Sequence, residues 1–297
     1  MMATPKTTSK TTSTPSLKPI VLIKLGGSII TDKSRENTMN FRVLRDLIRQ
    51  IGQAREFFQH EMHDNPDHEM RFLIGHGQGS YAHIPAKKYG TMHGYTDSLG
   101  RLGAAITQDK AQEANRIVVR EMLNQELPAM SWYMNNTILT KNRKPVEVFL
   151  EVLVEYLQRG IIPVTGGDVL ADLKMNSTIW STEEGLSHLA LALKKRGFKV
   201  LRIIHATETD GFLDQKKNCI PTITPKNWPT VQSALYTTKG LADVTGGMQL
   251  KVEESLALAK RGIESYLISG LKKNNLYHAI LDQEWMGTRV TNESLDE

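Results

Sequence analysis

Short apolar runs alternate with longer amphipathic segments along most of the chain. Runs that predict buried strands cover 20–25, 71–74, 161–165, 200–206 and 265–269. Apolar residues at helical spacing predict helices over 41–58, 100–126, 145–158, 183–196 and 248–261. Alternating strands and helices predict an α/β three-layer sandwich, with a central, mainly parallel sheet covered by helices on both faces.

Glycines fall at or just after the carboxyl ends of several predicted strands. Gly26-Gly27 follows the first strand, and Gly166-Gly167 follows the third. The second strand leads into a segment with three glycines, 75–79. Because open α/β sheets bind ligands beyond the carboxyl ends of their strands, we expect these turns to form one ligand site.

The pattern predicts a tail followed by one domain. Residues 1–19 are rich in Thr, Ser and Pro, contain no acid and predict a disordered tail. The remaining 20–297 form the predicted domain, with lobes 20–175 and 176–297 that meet near 170–185.

Composition narrows the class of protein. The single cysteine, Cys219, excludes an internal disulfide framework and fits a cytoplasmic location. No apolar run approaches the roughly 20 residues that span a bilayer, so no membrane partner is expected. The net charge of +5 comes from scattered residues, which suits an enzyme of anionic substrates and predicts no nucleic-acid partner.

The first candidate phosphate site is IKLGGSIITDK, residues 23–33. After a strand, Gly26, Gly27 and Ser28 let backbone N–H groups approach phosphate oxygens without steric hindrance. Lys24 and Lys33 flank the turn and supply the cations that phosphoryl transfer needs. Taken alone, this glycine pair is equally consistent with a simple tight turn.

The second candidate is GHGQGSYAHIPAKKYG, residues 75–90. Gly77 and Gly79 form a second anion-binding turn, and His83 can donate a hydrogen bond to a phosphate. For His76 we favour a structural role, in which the ring satisfies a backbone carbonyl.

Two further segments lie in the second half of the chain. In TETDGFLD, Asp210-Gly211 predicts a turn after a strand, and Asp210 can contact a nucleotide. In DVTGGMQLK, Thr245 is a candidate N-cap, and Gly246-Gly247 would open a helix toward an anion. Lys251 then lies on the first turns of that helix.

Together these segments resemble the amino acid kinase superfamily and, within it, the isopentenyl phosphate kinases. The resemblance runs from about 20 to 290. GHGQGSYAH followed by AKKYG discriminates best, because kinases of phosphate or phosphonate substrates carry this histidine and amino-acid-specific relatives generally lack it. This resemblance implies the carbamate kinase-like fold, a homodimer, a substrate-binding lobe (20–175) and a nucleotide-binding lobe (176–297).

The resemblance also implies roles for single residues. It assigns nucleotide binding to Lys24, Gly26, Gly27, Ser28, Gln78, Asp210, Gly246 and Lys251. It assigns substrate binding to Gly77, Gly79, His83, Gly103 and Gly167, and catalysis to Lys24, Lys33, His83, Glu183 and Lys251. In WSTEE, residues 180–184, Glu183 replaces an aspartate that organises the lysines in relatives, and Gln78 replaces a glycine.

The implied reaction is in-line transfer of the γ-phosphate of ATP, with Mg²⁺, onto isopentenyl phosphate, without protein ligands to the metal. An anionic phosphate acceptor needs no general base. The open alternatives are a fosfomycin-type phosphonate kinase, an acetylglutamate- or glutamate-type kinase, and a non-catalytic nucleotide sensor.

Overall fold

The computed structural model describes residues 18–32, 34–61, 69–234 and 242–292. The strands in these ranges are β1 (Pro19–Leu25), β2 (Arg71–His76), β3 (Ala129–Ser131), β4 (Ile138–Lys141), β5 (Lys144–Val148), β6 (Ile162–Gly166), β7 (Asp168–Asp172), β8 (Asn176–Trp180), β9 (Lys199–Thr207), β10 (Thr222–Ile223), β11 (Glu264–Ser269) and β12 (Gly287–Val290). The α-helices are α1 (Gly27–Ile30), α2 (Phe41–Glu61), α3 (His83–Tyr89), α4 (Ser98–Leu123), α5 (Glu151–Gln158), α6 (Thr182–Lys195), α7 (Trp228–Ala234), α8 (Ala242–Ala259) and α9 (Asn275–Leu281).

The main sheet has eight strands in the order β10-β12-β11-β9-β1-β2-β6-β3. Every neighbouring pair is parallel except β11 and β12. The expected mainly parallel sheet is confirmed. Its two halves join where β1 pairs with β9, so strands from the first and second parts of the chain share one hydrogen-bonded sheet.

Helices cover both faces of this sheet. One core packs α2, α4 and α9 against alternate strand residues such as Val21, Ile23 and Ile204. The other core packs α5, α6 and Leu258 of α8 against Ile20, Leu22 and Ile203. This alternation follows from the two-residue side-chain period of a strand, and it produces the three layers that the sequence predicted.

A second, four-stranded sheet in the order β5-β4-β7-β8 was not predicted. The helix predicted from Pro145 to Gln158 is wrong in its first half, because residues 144–148 form β5 and the helix starts only at Glu151. β5 is largely exposed, so its sequence lacks the apolar alternation that marks a half-buried strand.

Some predicted boundaries also change. The structure begins β1 at Pro19, and residues 1–17 of the predicted tail lie outside the described residues, as does Lys33. α8 begins at Ala242, so Thr245 is not an N-cap and Gly246 lies inside the helix. None of the described helices is both long and apolar enough to cross a membrane.

Candidate functional site

The glycine turns after β1 and β2 are packed backbone against backbone. A Cβ at Gly77 would overlap the backbone nitrogen of Gly27, and a Cβ at Gly27 would lie 2.8 Å from the nitrogen of Gly79. The turns are also tied to neighbouring strands, since Gly77 N donates to Leu25 O at 2.8 Å and Gly26 N donates to Ala206 O at 2.9 Å. The predicted convergence at the carboxyl edge of the sheet is therefore present.

Lys24 lies at the centre of this edge and is buried. Its Nζ donates to Glu183 Oε1, which comes from the first turn of α6. Burial lowers the pKa of Lys24, while the charge of Glu183 acts in the opposite direction. A buried ammonium with a carboxylate partner keeps its charge at much lower free-energy cost than an unpaired one.

Lys251 approaches the same carboxylate from α8. Its Nζ lies 3.8 Å from Glu183 Oε1, and its side chain is 44% exposed. Burial alone would raise the pKa of Glu183, but Lys24 and Lys251 lower it to about 2. The structure thus brings Lys24, Lys251 and Glu183 together, with one ionised carboxylate between two cations.

His83 opens α3, four residues beyond Gly79, and its side chain is exposed. The pKa of His83 is lowered, mainly by partial desolvation. The charge of Glu183 alone would raise this pKa, and the charge of Lys24 lowers it. The charges of Lys24 and Glu183 both act on the ring, and their effects oppose each other, so desolvation decides the direction and the ring is predominantly uncharged near pH 7.

His76 has the structural role that we favoured. Its Nε2 lies 3.1 Å from Asn115 Nδ2, which also donates to Val164 O at 3.1 Å. Since the amide nitrogen is the donor, Nε2 accepts and Nδ1, 3.4 Å from Gly77 O, carries the proton. Burial lowers the pKa of His76 to about 4.

Other predicted site residues have contacts within the protein. Gln78 Nε2 donates to Gly167 O at 2.6 Å, and Asp210 Oδ2 lies 3.0 Å from Lys272 Nζ. Gly103 of α4 faces Tyr89, whose Cβ a side chain at 103 would overlap. Ser28 is exposed and lines a groove of about 490 Å³ with Glu208. The ligand-binding roles of these residues stay predictions.

Sequence reasoning did not single out His205. It lies on β9 in register with Lys24 and lines a cleft with Glu183 and Lys251. In the sequence, His205 is a titratable residue within the apolar run IIHAT. It lies two positions after Ile203, so the two side chains project to the same face of the strand. Without knowing which strand lies beside β1, this pattern does not place the ring near the lysines.

Comparisons with known proteins agree with this geometry. The model of the amino acid kinase family matches residues 19–269. Isopentenyl phosphate kinase of Methanothermobacter thermautotrophicus is 29% identical over 289 residues, which cover 92% of this chain and 99% of the relative. The corresponding enzyme of Methanocaldococcus jannaschii is 26% identical over 273 residues, covering 91% and 98% of the two chains.

Solved structures agree as well. An X-ray structure of isopentenyl phosphate kinase superposes with a TM-score of 0.69 at 25% identity, covering 92% of this chain and 100% of the other. The resemblance and the fold inferred from the sequence are confirmed. The chain belongs to the amino acid kinase family.

Proposed function

We propose that this protein is an ATP-dependent isopentenyl phosphate kinase, a phosphotransferase whose acceptor is a phosphate monoester. The observation that carries the proposal is the pair Lys24 and Lys251 on one carboxylate, Glu183, with His83 within range of its charge. The names of the relatives and solved structures support the same substrate.

The site is chemically suited to two adjoining phosphates. Lys24 and Lys251 would neutralise charge on the nucleotide phosphates, and the amides of Gly27 and Ser28 would bind their oxygens, since the Gly26 amide already donates to Ala206 O. Mg²⁺ belongs to the proposal as an ion held mainly by the phosphates of ATP, as is common for this metal. Lys33 is expected to stabilise the transition state.

His83 is the proposed ligand of the acceptor phosphate. A neutral ring donates one N–H to a phosphate oxygen, and the approach of a dianion would favour the doubly protonated ring. In the reaction, an acceptor oxygen forms a bond to the γ-phosphorus while the bond to the β,γ-bridging oxygen breaks, leaving a diphosphate and ADP. Glu183, ionised and paired with lysines, organises these cations rather than accepting a proton.

An ADP-release assay with isopentenyl phosphate, fosfomycin, acetylglutamate and uridine monophosphate tests the proposal. We expect turnover with isopentenyl phosphate above the others. Preference for fosfomycin or acetylglutamate would contradict it, and ATP binding without any turnover would favour the sensor.

His83→Ala tests the acceptor site. We expect kcat/KM for isopentenyl phosphate to fall about 100-fold, with the KM for ATP changed less than about 3-fold. His93→Ala is the matched control, because His93 is exposed and lies ten residues further along the chain. Equal kcat/KM for the two variants would refute this role of His83.

We also propose a cytoplasmic homodimer with lobes 20–175 for the substrate and 176–297 for the nucleotide. Strand β3 is at an edge of the main sheet, and Met130 on it is 43% exposed, which is compatible with a second copy at this edge. Light scattering coupled to size exclusion measures the mass in solution, and a monomer at micromolar concentration would contradict the dimer.

A further inference from the structure

His205 lies directly beside Lys24 in the main sheet. In the parallel pair of β1 and β9, Lys24 is in register with His205, and on the other side of β9 His205 is in register with Leu267 of β11. Residues in register on neighbouring strands project to the same face of a sheet. Lys24 and His205 therefore share the face that α6 and α8 cover.

One narrow cleft lies between these helices and the sheet. It is lined by Lys24 and His205 from the sheet, by Glu183 from α6 and by Lys251 from α8. Glu254 of α8 is the other charged residue among the lining residues, which also include Ser187, Thr207, Ser255, Leu258 and Leu267. The cleft thus contains two ammonium groups, two carboxylates and one imidazole.

The imidazole adds hydrogen-bonding capacity to this cleft without adding charge. The pKa of His205 is lowered to about 3, mainly by burial. The charges of Lys24 and Lys251 also lower it, and the charge of Glu183 acts in the opposite direction. A neutral ring offers one donor and one acceptor. A protonated ring would instead add a third cation beside Lys24 and Lys251.

We propose that His205 is a positioning residue that acts through Glu183, holding its carboxylate between Lys24 and Lys251. This inference rests on the proposed kinase function, because its purpose is to keep both lysines directed at the transferred phosphate. A glutamate has several rotatable bonds, and displacement of a catalytic group by about 1 Å can cost about 100-fold in rate. A polar neighbour on the rigid sheet restricts that motion.

Two substitutions separate hydrogen bonding from packing. His205→Leu keeps a similar volume without polar atoms, whereas His205→Gln keeps a donor and an acceptor. We expect kcat with isopentenyl phosphate to fall at least about 20-fold in His205→Leu, with the KM for isopentenyl phosphate within about 3-fold. His205→Gln should retain at least about a third of wild-type kcat, since glutamine still offers a hydrogen-bond donor and an acceptor at this place in the cleft.

The matched control is His188→Leu. His188 is also a partly buried histidine, but it is on α6 against the ring of Trp180 (5.4 Å between centroids). We expect its kcat to stay within about 2-fold of wild type, as for a substitution away from the site. Equal kcat for His205→Leu and His188→Leu would overturn the inference, and so would an equal loss in His205→Leu and His205→Gln.

The pH profile supplies a readout that packing alone would not move. In His205→Leu a Glu183 carboxylate that is held less firmly supports the charge of Lys24 less, so the alkaline limb of kcat/KM should move to lower pH by at least about half a unit, and not in His188→Leu. An unmoved limb in a folded His205→Leu protein would overturn the inference.

Nuclear magnetic resonance of the ring nitrogens keeps the inference testable if His205→Leu does not fold. In the full-length protein, Glu183→Gln should shift the His205 ring nitrogens and leave those of His188 unchanged. Unshifted His205 resonances would overturn the inference. Failure of the wild-type protein to phosphorylate isopentenyl phosphate would instead refute the proposed function, and the ring resonances would still report whether His205 and Glu183 are coupled.

Discussion

Gly79 has a backbone conformation and an environment that both require glycine. Its φ is +50°, in the left-handed region, and a Cβ there would overlap Thr31 Oγ1. Gly90 has a similar φ of +63°, but nothing lies within 4 Å of the position of its missing Cβ. The two residues therefore separate the cost of backbone strain from the cost of a steric clash.

Gly79→Ala and Gly90→Ala should differ in their effect on stability. We expect Gly90→Ala to lower the free energy of unfolding by about 1 kcal/mol, from backbone strain alone. Gly79→Ala should lower it by at least about 3 kcal/mol, because the methyl group must also displace Thr31 and the adjoining turn. Urea unfolding measures both values. Equal losses would show that the contact with Thr31 does not limit this position.

Glu183→Gln should change both the rate and its pH dependence. Burial lowers the pKa of Lys24, and the charge of Glu183 limits that decrease. Removing the charge therefore lowers the pKa of Lys24 further, so the alkaline limb of the pH–rate profile should move to lower pH. We also expect kcat to fall about 100-fold, because two lysines lose their common partner.

Steady-state kinetics from pH 6 to 10 check this prediction, with Glu184→Gln as the control. Glu184 accepts a hydrogen bond from Ser181 N in a capping box, which glutamine also completes. The control should keep the wild-type profile. An alkaline limb that moves to higher pH in Glu183→Gln would contradict the proposed electrostatic coupling.

For single residues, the sequence identified which glycines matter, but it did not give the physical reason why each position is glycine. It predicted glycines at 27 and 77 as openings for phosphate, whereas the structure shows that the backbone of the other turn already fills part of the space at each. Likewise, Gly103 has a sufficient explanation in its contact with Tyr89. Such close approaches depend on which strands are neighbours, which no local pattern reports.

At the scale of elements, Asp172 connects the two hairpins of the small sheet. Burial alone would raise the pKa of this carboxyl, but hydrogen bonds lower it well below its usual range. The donors come from β4, from the turn between β4 and β5 and from the turn between β7 and β8: Thr140 Oγ1 and the backbone N–H groups of Asn142, Arg143, Lys174 and Met175.

Asp172→Asn should destabilise the protein by about 3 kcal/mol, because an amide nitrogen would face N–H donors and the charge-assisted bonds would be lost. The carboxylate has a lowered pKa, so its contribution is present above the pKa of the unfolded chain and decreases as the pH falls. Urea unfolding at pH 7 measures the loss. Asp109→Asn, on the exposed surface of α4, should change stability by less than about 0.5 kcal/mol. A similar small change in Asp172→Asn would refute the anchoring role.

The elements that the sequence located correctly are the buried ones. β1 and β2 are apolar runs without exposed positions, so burial on both faces of a parallel sheet leaves a clear pattern. The small sheet leaves a weaker pattern, because β5 is mainly exposed and begins beside Pro145. Its conformation is set by pairing with β4 across a two-residue turn in which Asn142 and Arg143 both have positive φ.

For the whole molecule, the order of glycines along the chain was enough to predict one ligand edge, because parallel strands place their carboxyl ends together. The pairing of Lys24 with Glu183 was not derivable from local patterns, since 159 residues separate them. Long-range contacts of this kind arise from the strand order, in which β1 lies between β2 and β9. Resemblance to a family supplied what periodicity did not.

Two buried ionisable groups give the folded molecule opposite responses to pH. Burial lowers the pKa of His76 to about 4 and raises the pKa of Asp168 to about 7. Between pH 4 and about 6.5 the unfolded chain binds a proton at His76 that the native state does not, so His76 destabilises the fold as the pH falls through this range. Asp168 acts in the opposite direction, because its native carboxyl stays protonated to higher pH than in the unfolded chain.

His76→Gln isolates the first of these terms, because glutamine cannot titrate and can still accept a hydrogen bond from Asn115. Between pH 7 and pH 5 the histidine should contribute a loss of about 2 kcal/mol to the free energy of unfolding, from roughly 1.5 pH units at 1.36 kcal/mol each. The variant should therefore lose about 2 kcal/mol less than the wild type over the same interval, while the term from Asp168 is common to both and cancels. Urea unfolding at several pH values within this range gives the two slopes, and parallel slopes would mean that His76 is protonated equally in the folded and unfolded chains.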